Sequence, residues 1–382
     1  MVLNEQFQTA PVIAEQELIA AEATDGLAAA TTAVGNAVSA VTQNSSLEFR
    51  SSQTLSGSVT GSAYVQTQGT GGSVYVNTTS ATGNTGDAAV CCGYLSGDVR
   101  QTVAGHTDVS AHNESRAGGK VEHASGAANA IGNTQGYAAV NGSVGARTEQ
   151  RHYGTTNAYN QAVFCCVTGS GTFTANAVAN NVTSEVENGS VYHEVVQEVD
   201  GFETRATNDV YVVTGNEVTG LASATANNFH SVNTGGVAEA HIQQTNQSLV
   251  EAEAHTAIDT WYGTGSAISN GVGNSIHLAN ISPDPIMRTE QLNNGDVNSY
   301  ATFNGGISEG DVFTSATSIG NAVSGYACSS CYGVIDAHNR QENNGTVRAI
   351  ARTYTAGHAH QITGLASAVG NTATYESYSS GN

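Results

Sequence analysis

The stretch Ala33-Val34-Gly35-Asn36 decides how this sequence is interpreted, because variants of it return along the whole chain. Its asparagine recurs at intervals of 47 to 50 residues. Such even spacing over 382 residues is typical of a repeat protein that grows by adding one structural unit after another. The repeated asparagines are Asn36, Asn84, Asn133, Asn180, Asn227, Asn274, Asn321 and Asn371.

A second mark, a glutamine followed four residues later by a small residue, lies between successive asparagines. These glutamines are Gln53, Gln101, Gln150, Gln197, Gln244, Gln291 and Gln341. When both marks are aligned on their small residues, they form one column with gaps of 23 to 27 residues. The spacing therefore predicts a coil of about 24 residues, with two coils in each repeat. The members of this small column are Ala33, Gly57, Ala81, Gly105, Ala130, Gly154, Ala177, Gly201, Ala224, Ser248, Gly271, Gly295, Ser318, Gly345 and Ala368.

Short segments that alternate small or apolar with polar residues, such as 172–178 and 347–352, predict half-buried strands. Asn-Gly and Gly-rich pairs separate them, as expected for turns. The predicted fold is all-β: a parallel β-helix or β-solenoid of about fifteen coils of about 24 residues, arranged as 48-residue double-coil repeats. At the spacing of parallel strands, about 4.8 Å, that number of coils gives a rod on the order of 70 Å long.

The ends of the chain are expected to differ from the repeats. Residues 15–22 could form a capping helix, since they carry a longer polar and apolar pattern. The predicted division is 1–29 as an N-terminal cap or partial coil, 30–371 as the solenoid, and 372–382 as a C-terminal partial coil or tail.

The repeated amides have two interpretations that the sequence leaves open. The asparagine and glutamine columns either form hydrogen-bonded ladders along the solenoid or satisfy the backbone at turns. With coils of about 24 residues, each column would recur only in every second coil, so that a continuous ladder would need other polar residues in between.

The six cysteines come as three local pairs: Cys91 with Cys92, Cys165 with Cys166, and Cys328 with Cys331. In coils of about 24 residues all three pairs share one angular position, and even the nearest two pairs lie about 14 Å apart at the parallel strand spacing, so disulfides between pairs are excluded. Bridges within each pair remain possible, and the even cysteine count favours an oxidising, exported environment.

The formal net charge of −21 argues against nucleic acid and anionic membranes as partners, and it suits cations or a basic polymer.

No signal peptide is recognisable in the first nine residues, which fits a cytoplasmic protein or a mature exported chain. No motif indicates a catalytic, cofactor or metal site, and only weak candidates occur. They are His358 with His360 for a metal, the acids Asp284, Glu290, Asp296, Glu251 and Glu253, and the sugar-stacking aromatics Tyr153, Tyr159, Tyr192, Tyr211, Trp261, Tyr262, Tyr326 and Tyr332.

Two surface families are similar to this sequence. The Gln-x-x-x-Gly mark partly resembles the curlin-like fibre subunits. Runs such as Ser367-Ala368-Val369-Gly370-Asn371, together with the paired cysteines, resemble the holdfast anchor protein D family along the whole chain. The second resemblance implies an exported protein at the outer membrane that ties an adhesive polysaccharide to the cell envelope. It also implies an amyloid-like partner subunit and an outer-membrane secretion or anchor protein.

Three functions are therefore open. The chain is a surface anchor or adhesin, a fibre subunit that self-associates through the ends of its solenoid, or a polysaccharide-cleaving β-helix enzyme. The negative charge suggests a partly cationic polysaccharide as the ligand of an anchor.

Overall fold

The computed structural model describes residues 1–281, 285–329 and 334–379, and the regular secondary structure of these residues is entirely β. The strands are β1 Val2–Gln8, β2 Val12–Ala20, β3 Gly26–Gln43, β4 Leu47–Leu55, β5 Val59–Thr67, β6 Gly72–Cys91, β7 Tyr94–Val103, β8 Asp108–Val140, β9 Ser143–His152, β10 Thr155–Glu187, β11 Val191–Val199, β12 Glu203–Thr234, β13 Ala238–Asn246, β14 Leu249–Trp261, β15 Thr264–Ile281, β16 Ile286–Asn293, β17 Val297–Ser308, β18 Asp311–Ser329, β19 Asp336–Asn343, β20 Val347–Thr355 and β21 Gln361–Ser379.

Every strand pairs in parallel with its equivalent one turn further on, which confirms the predicted parallel β-solenoid. Asn36 lies opposite Asn84, and Asn84 lies opposite Asn133. One turn therefore takes the whole 47–50-residue repeat, and the predicted coil of about 24 residues is wrong. The solenoid has eight turns instead of fifteen. At about 4.8 Å per turn its length is about 38 Å, roughly half of the predicted length.

Three walls surround the core in each turn. Wall I is the eight-stranded sheet β1-β4-β7-β9-β11-β13-β16-β19. Walls II and III belong to one larger sheet. Wall II begins with β2 and continues through β5, β14, β17 and β20, and wall III contains β3, β6, β15, β18 and β21; the long strands β8, β10 and β12 run through both.

The small residues that suggested a half-length coil belong to two separate columns of the same turn. One column faces inward on wall III, where Ala130 lies opposite Ala177 and Ala177 opposite Ala224. The other column lies at the corner between walls I and II, where the Gly57 amide donates to the Gln8 carbonyl. A Cβ at Gly201 in that corner would come within 2.0 Å of the Gly154 carbonyl oxygen. Small side chains are therefore required at two sites about half a turn apart, the inward column of wall III and the corner between walls I and II.

Wall III bends near its middle, and the repeated asparagines lie at that bend. Inward and outward residues alternate up to Ala130, but Gly132 and Asn133 are then both buried. The first residue of this inward pair is always Gly or Ala, and at Gly83 even a Cβ would lie 2.5 Å from the Gly132 carbonyl oxygen one turn on. The second residue is the repeated asparagine, whose amide therefore projects into the core.

The core is thin and filled mainly by small aliphatic side chains. Its central cluster is rich in alanine and valine, including Ala177, Ala224 and Val103, all buried. Larger side chains such as Phe164 and Trp261 fill the cluster between walls II and III. Because the walls are close together at the centre, a side chain larger than alanine there has little room.

The N-terminal segment is not helical. Residues 12–20 form β2, which pairs in parallel with β5, so the predicted capping helix at 15–22 is wrong. This segment alternates exposed and half-buried residues with period two, and the parallel template of β5 favours the strand. The division at 29/30 and 371/372 stays a prediction; β3 and β21 run through these two positions.

The cysteine pairs do not share one angular position. Cys91 and Ile281 belong to one column of equivalent residues. Asn280 pairs with Ala327 in the next turn, so Cys328, which follows Ala327, falls in the same column as Ile281 and Cys91. Cys166 instead lies opposite Lys120, in the part of β10 that leads from wall II to wall III. The described cysteines Cys91, Cys92, Cys165, Cys166 and Cys328 are free thiols, and Cys331 lies outside the described residues. Bridges within the pairs stay a prediction for oxidising conditions.

Candidate functional site

The asparagines of the repeat form one continuous ladder inside the solenoid. Each asparagine from Asn36 to Asn321 donates its Nδ2 to the Oδ1 of the asparagine one turn closer to the C-terminus, at 2.7–3.0 Å. Each also donates across the core to a backbone carbonyl of wall I, as Asn133 does to Arg151 at 3.0 Å. Because one repeat is one turn, the ladder needs no intervening polar residues.

The glutamines form a second ladder on the inner side of wall I. Here each Gln Nε2 donates to the Oε1 of the glutamine one turn closer to the N-terminus, at 2.8–2.9 Å. Each also donates across the core to a carbonyl of wall III, as Gln150 does to Asn181 at 2.9 Å. The ladder begins with Gln6, which also has a small residue, Ala10, four positions later but was missed in the sequence. The two ladders thus tie walls I and III together, and they donate in opposite directions.

The two buried histidines belong to the structure of the core. His193 is fully buried beside Tyr137 and Phe229, and neither ring nitrogen has a hydrogen-bond partner. His152 is also buried, with Thr156 Oγ1 2.8 Å from its Nε2. Burial disfavours the imidazolium form and lowers the pKa of His193 to about 3 and that of His152 to about 4. Both rings are therefore neutral at physiological pH.

The outer surface of wall I, face I, carries ion pairs that cross from one turn to the next. Arg288 pairs with Asp336 at 2.6 Å, and Arg340 pairs with Glu290 at 2.9 Å. All four side chains are well exposed, so each pair contributes little to stability. Face I is best described as a solvated surface on which acidic side chains outnumber arginines.

The outer surface of wall II, face II, carries a series of aromatic side chains. Tyr159 stacks on His112, with ring centroids 4.9 Å apart and an interplanar angle of 21°. The guanidinium of Arg116 lies 6.0 Å from the ring centroid of Tyr64, and that of Arg348 lies 5.8 Å from the Tyr300 ring. The outward aromatic side chains of face II are Tyr64, His112, Tyr159, Tyr211, His255, Tyr300 and Tyr354.

A shallow groove of about 660 Å³ lies on face II between turns six and eight. Ala257, Gly305 and Gly306 line it together with the Asp259 carboxylate, and Tyr354 borders it, 58% exposed. Its small residues are required by what lies beneath. A Cβ at Gly305 would come within 2.3 Å of the buried Trp261 ring.

A second tyrosine lies on the other side of this groove. The Tyr211 hydroxyl donates to Asp259 Oδ2 at 2.7 Å, and this hydrogen bond raises the pKa of Tyr211. Tyr211 and Tyr354 occupy one column, separated by Ala257 and Asn304, so that they lie three turns or about 14 Å apart. Exposed aromatic platforms with a carboxylate and an amide between them can stack on sugar rings and accept hydrogen bonds from their hydroxyls.

The structure corrects several candidate residues. Trp261 is fully buried against Phe303 and is not a surface aromatic. His358 and His360 lie between β20 and β21 and not on a strand. Tyr332 and Asp284 lie outside the described residues. Within the described residues, no group of three or more His, Cys, Asp or Glu side chains is placed to hold a metal ion.

The acidic candidates are dispersed over the molecule. Glu251 and Glu253 project from face II, where Arg205 bridges them at 3.3 and 2.8 Å. Glu290 lies on face I, and Asp296, between β16 and β17, accepts from the Thr346 amide. The described candidates therefore do not form one pair of carboxylates across a cleft.

A family model described as HfaD, holdfast attachment protein D, matches residues 21–297. The chain belongs to this family. The holdfast attachment family indicates a location at the cell surface and an association with surface polysaccharide or the holdfast machinery. Neither the curated proteins nor the solved structures include a match.

The matched region, 21–297, includes Tyr211 and Asp259 on one side of the groove, whereas Tyr354 lies beyond it. In the part of the chain that the structure describes, no helix has the length and apolar character needed to cross a membrane.

Proposed function

We propose that this chain is a surface anchor that ties an adhesive polysaccharide to the outer membrane, and that face II binds the polysaccharide. The observation that carries the proposal is the groove between Tyr211 and Tyr354, which combines two exposed aromatic platforms with the Asp259 carboxylate. Membership in the holdfast attachment family supports it.

Repetition along the solenoid supports the same proposal. Aromatic side chains recur on face II from Tyr64 in the second turn to Tyr354 in the eighth, so one polymer chain could contact several of them at once. Weak contacts on a linked polymer add up, because each later contact is intramolecular. The solenoid is acidic, with a net charge of −21, and it suits a polysaccharide that carries some protonated amino groups.

The proposed attachment needs further components. An outer-membrane secretion or anchor protein would hold the chain at the membrane, and an amyloid-like subunit would share the attachment with it. We propose that the chain acts as an exported protein, outside the outer membrane.

The test is a binding measurement with partly deacetylated chitin oligomers, with a neutral glucan as the comparison polymer. Tyr211→Ala and Tyr354→Ala are expected to weaken binding by about two- to tenfold each, since an aromatic contact contributes about 0.5–1.5 kcal/mol. Tyr192→Ala is the matched control, because Tyr192 is 43% exposed but lies on face I. An equal loss in the control would contradict the assignment of face II. Binding that is indifferent to salt would contradict the role of charge.

A fibre subunit is the second candidate, and the direction of the ladders favours one way of stacking. Asn321 donates to Asn371 at the C-terminal end, and Gln53 donates to Gln6 at the N-terminal end. A second copy stacked head to tail would continue both ladders in the same direction. Electron microscopy of the purified chain at micromolar concentration distinguishes the two candidates, since fibres would support the subunit and single particles the anchor.

A further inference from the structure

The first half of wall III, before the bend, presents an outer surface without a single charged or histidine side chain. We call it the neutral face, and it consists of four outward columns of eight residues each. Only Ala, Val, Ile, Leu, Phe, Ser, Thr and Asn occur in it. In chain order its residues are Ala28, Ala30, Thr32, Val34, Val76, Thr78, Ser80, Thr82, Ser125, Ala127, Asn129, Ile131, Thr172, Thr174, Asn176, Val178, Thr219, Leu221, Ser223, Thr225, Ser266, Ile268, Asn270, Val272, Phe313, Ser315, Thr317, Ile319, Thr363, Leu365, Ser367 and Val369.

The absence of charge on this face is not a general property of the chain. The sequence contains 32 acidic and 11 basic residues, and they are frequent on faces I and II. They also border the neutral face: Glu217 and Asp311 lie in the column before it, and Asp87 lies beyond the bend. The charges thus surround this surface and leave it free.

The neutral face is regular. Its strands pair without interruption from β3 to β21, and equivalent residues remain in register over all eight turns. Columns on one side of a strand are about 6.7 Å apart and turns about 4.8 Å, so the face covers on the order of 900 Å². A standard stable protein interface buries about 800 Å² on each partner. The area is therefore sufficient for a specific interface.

We infer that the neutral face is an interface on which a second copy of this chain docks face to face about a two-fold axis. Two copies that each carry a charge of −21 repel one another, and an uncharged surface lets them approach without bringing charges together or burying them. A two-fold arrangement uses the same surface on both copies, so that assembly stops at the dimer.

The columns of the face fit such an antiparallel arrangement. The column that contains Val178 and Ile131 is wholly β-branched, whereas the column that contains Ala127 and Leu221 mixes small and large residues. With the two-fold axis parallel to the strands and midway between turns four and five, each column of one copy lies against the same column of the other copy, running in the opposite direction. Asn176 in turn four of one copy then lies opposite Ser223 in turn five of the other, next to the axis.

The experiment measures the mass of the purified full chain by sedimentation and light scattering between 1 and 100 μM. This range of concentrations covers dimers with dissociation constants of about micromolar or weaker. The wild-type chain is expected to form a dimer. The double variant Asn176→Asp/Ser223→Asp places four like charges at the axis and is expected to raise the dimer dissociation constant at least tenfold. The control Asn157→Asp/Val163→Asp adds the same charge to outward positions of face II and should leave the dimer unchanged.

Salt supplies a second test that does not depend on any variant. Since the copies carry like charge, an increase from 50 to 500 mM NaCl should strengthen the dimer by screening repulsion, whereas charge-driven binding of a cationic polysaccharide should weaken. A wild-type chain that is monomeric at 100 μM in both salts would overturn the inference and would leave this face to a different partner. A dimer that survives the Asn176→Asp/Ser223→Asp change, or that the control disrupts equally, would also overturn it.

Discussion

Asn133 donates one amide hydrogen to Oδ1 of Asn180, one turn further along the solenoid, at 2.8 Å, and its other hydrogen to a carbonyl of wall I. Asn180 in turn donates to Asn227 and to the Glu198 carbonyl. Each asparagine of the ladder therefore supplies a hydrogen-bond partner to the asparagines of both adjacent turns. Removing one rung leaves polar atoms of both adjacent turns without partners.

Asn180→Ala is expected to destabilise the chain by about 2–4 kcal/mol, because buried donors and acceptors lose their partners in a site from which water is excluded. The measurement is urea unfolding followed by circular dichroism. Asn176→Ala is the control: it makes the same change on the same strand at an outward, half-buried position and should cost less than about 1 kcal/mol. Equal losses would show that the ladder contributes no more than a surface amide.

Ala177→Leu tests the narrow centre of the core. Ala177 is fully buried in the central cluster, between Ala130 and Ala224 of the adjacent turns. Overpacking there is expected to cost about 1–3 kcal/mol or more, measured in the same unfolding experiment. Thr174→Leu is the control on the outward side of this strand, where the next turn already has Leu221, and it should be tolerated.

Two glycines of the corner column should respond in opposite ways to the same substitution. A Cβ at Gly201 would lie 2.0 Å from the Gly154 carbonyl oxygen, whereas a Cβ at Gly105 would find its nearest neighbour at 4.0 Å. Gly201→Ala should therefore lower the melting temperature, and Gly105→Ala should leave it unchanged or raise it slightly because alanine restricts the unfolded chain. If both variants behave alike, the corner is not as crowded as the structure shows.

The buried histidines make stability depend on pH. Burial lowers the pKa values of His193 and His152 to about 3 and about 4, while the unfolded chain binds a proton near pH 6.5. Unfolding therefore takes up protons below pH 6.5, and stability falls as pH decreases from 6.5 toward 4. The slope approaches about 1.4 kcal/mol per pH unit for each histidine.

The double variant His152→Val/His193→Leu should flatten this dependence in urea unfolding at pH 7.5, 6, 5 and 4. Valine already occupies the position of His152 in the adjacent turns, at Val103 and Val199. His123→Gln serves as the control, since the His123 side chain is 54% exposed. A steep loss of stability that persists in the double variant would assign the acid sensitivity to carboxylates.

The sequence contained the period, the amide columns and the small columns, because stacked turns place equivalent residues on top of one another. It did not reveal the circumference of a turn. The crowded corner at Gly201 and the crowded core at Ala177 both select small residues, and their separation by about half a turn imitates a shorter repeat. The sequence did contain one indication of the full turn: the glutamine never takes the place of the asparagine, or the reverse, so the two halves of the repeat are not equivalent.

The functional surfaces were harder to predict than the fold. Tyr211 was a candidate, but its partnership with Tyr354 across three turns depends on the correct circumference. Trp261 was misassigned because Gly305, which lets its ring pack underneath, lies one turn away. The neutral face emerges only when residues such as Asn129 and Asn176 are assembled into outward columns of the right length.

The opposite donation of the two amide ladders has an electrostatic consequence. Aligned amides in an α-helix add up to a macrodipole that grows with the number of aligned groups and charges its ends. Here the asparagine amides point one way and the glutamine amides point the other, with one of each in every turn. Their dipoles largely cancel, and each added turn cancels again. The solenoid can therefore lengthen or shorten by whole turns without these two ladders contributing charged poles at its ends.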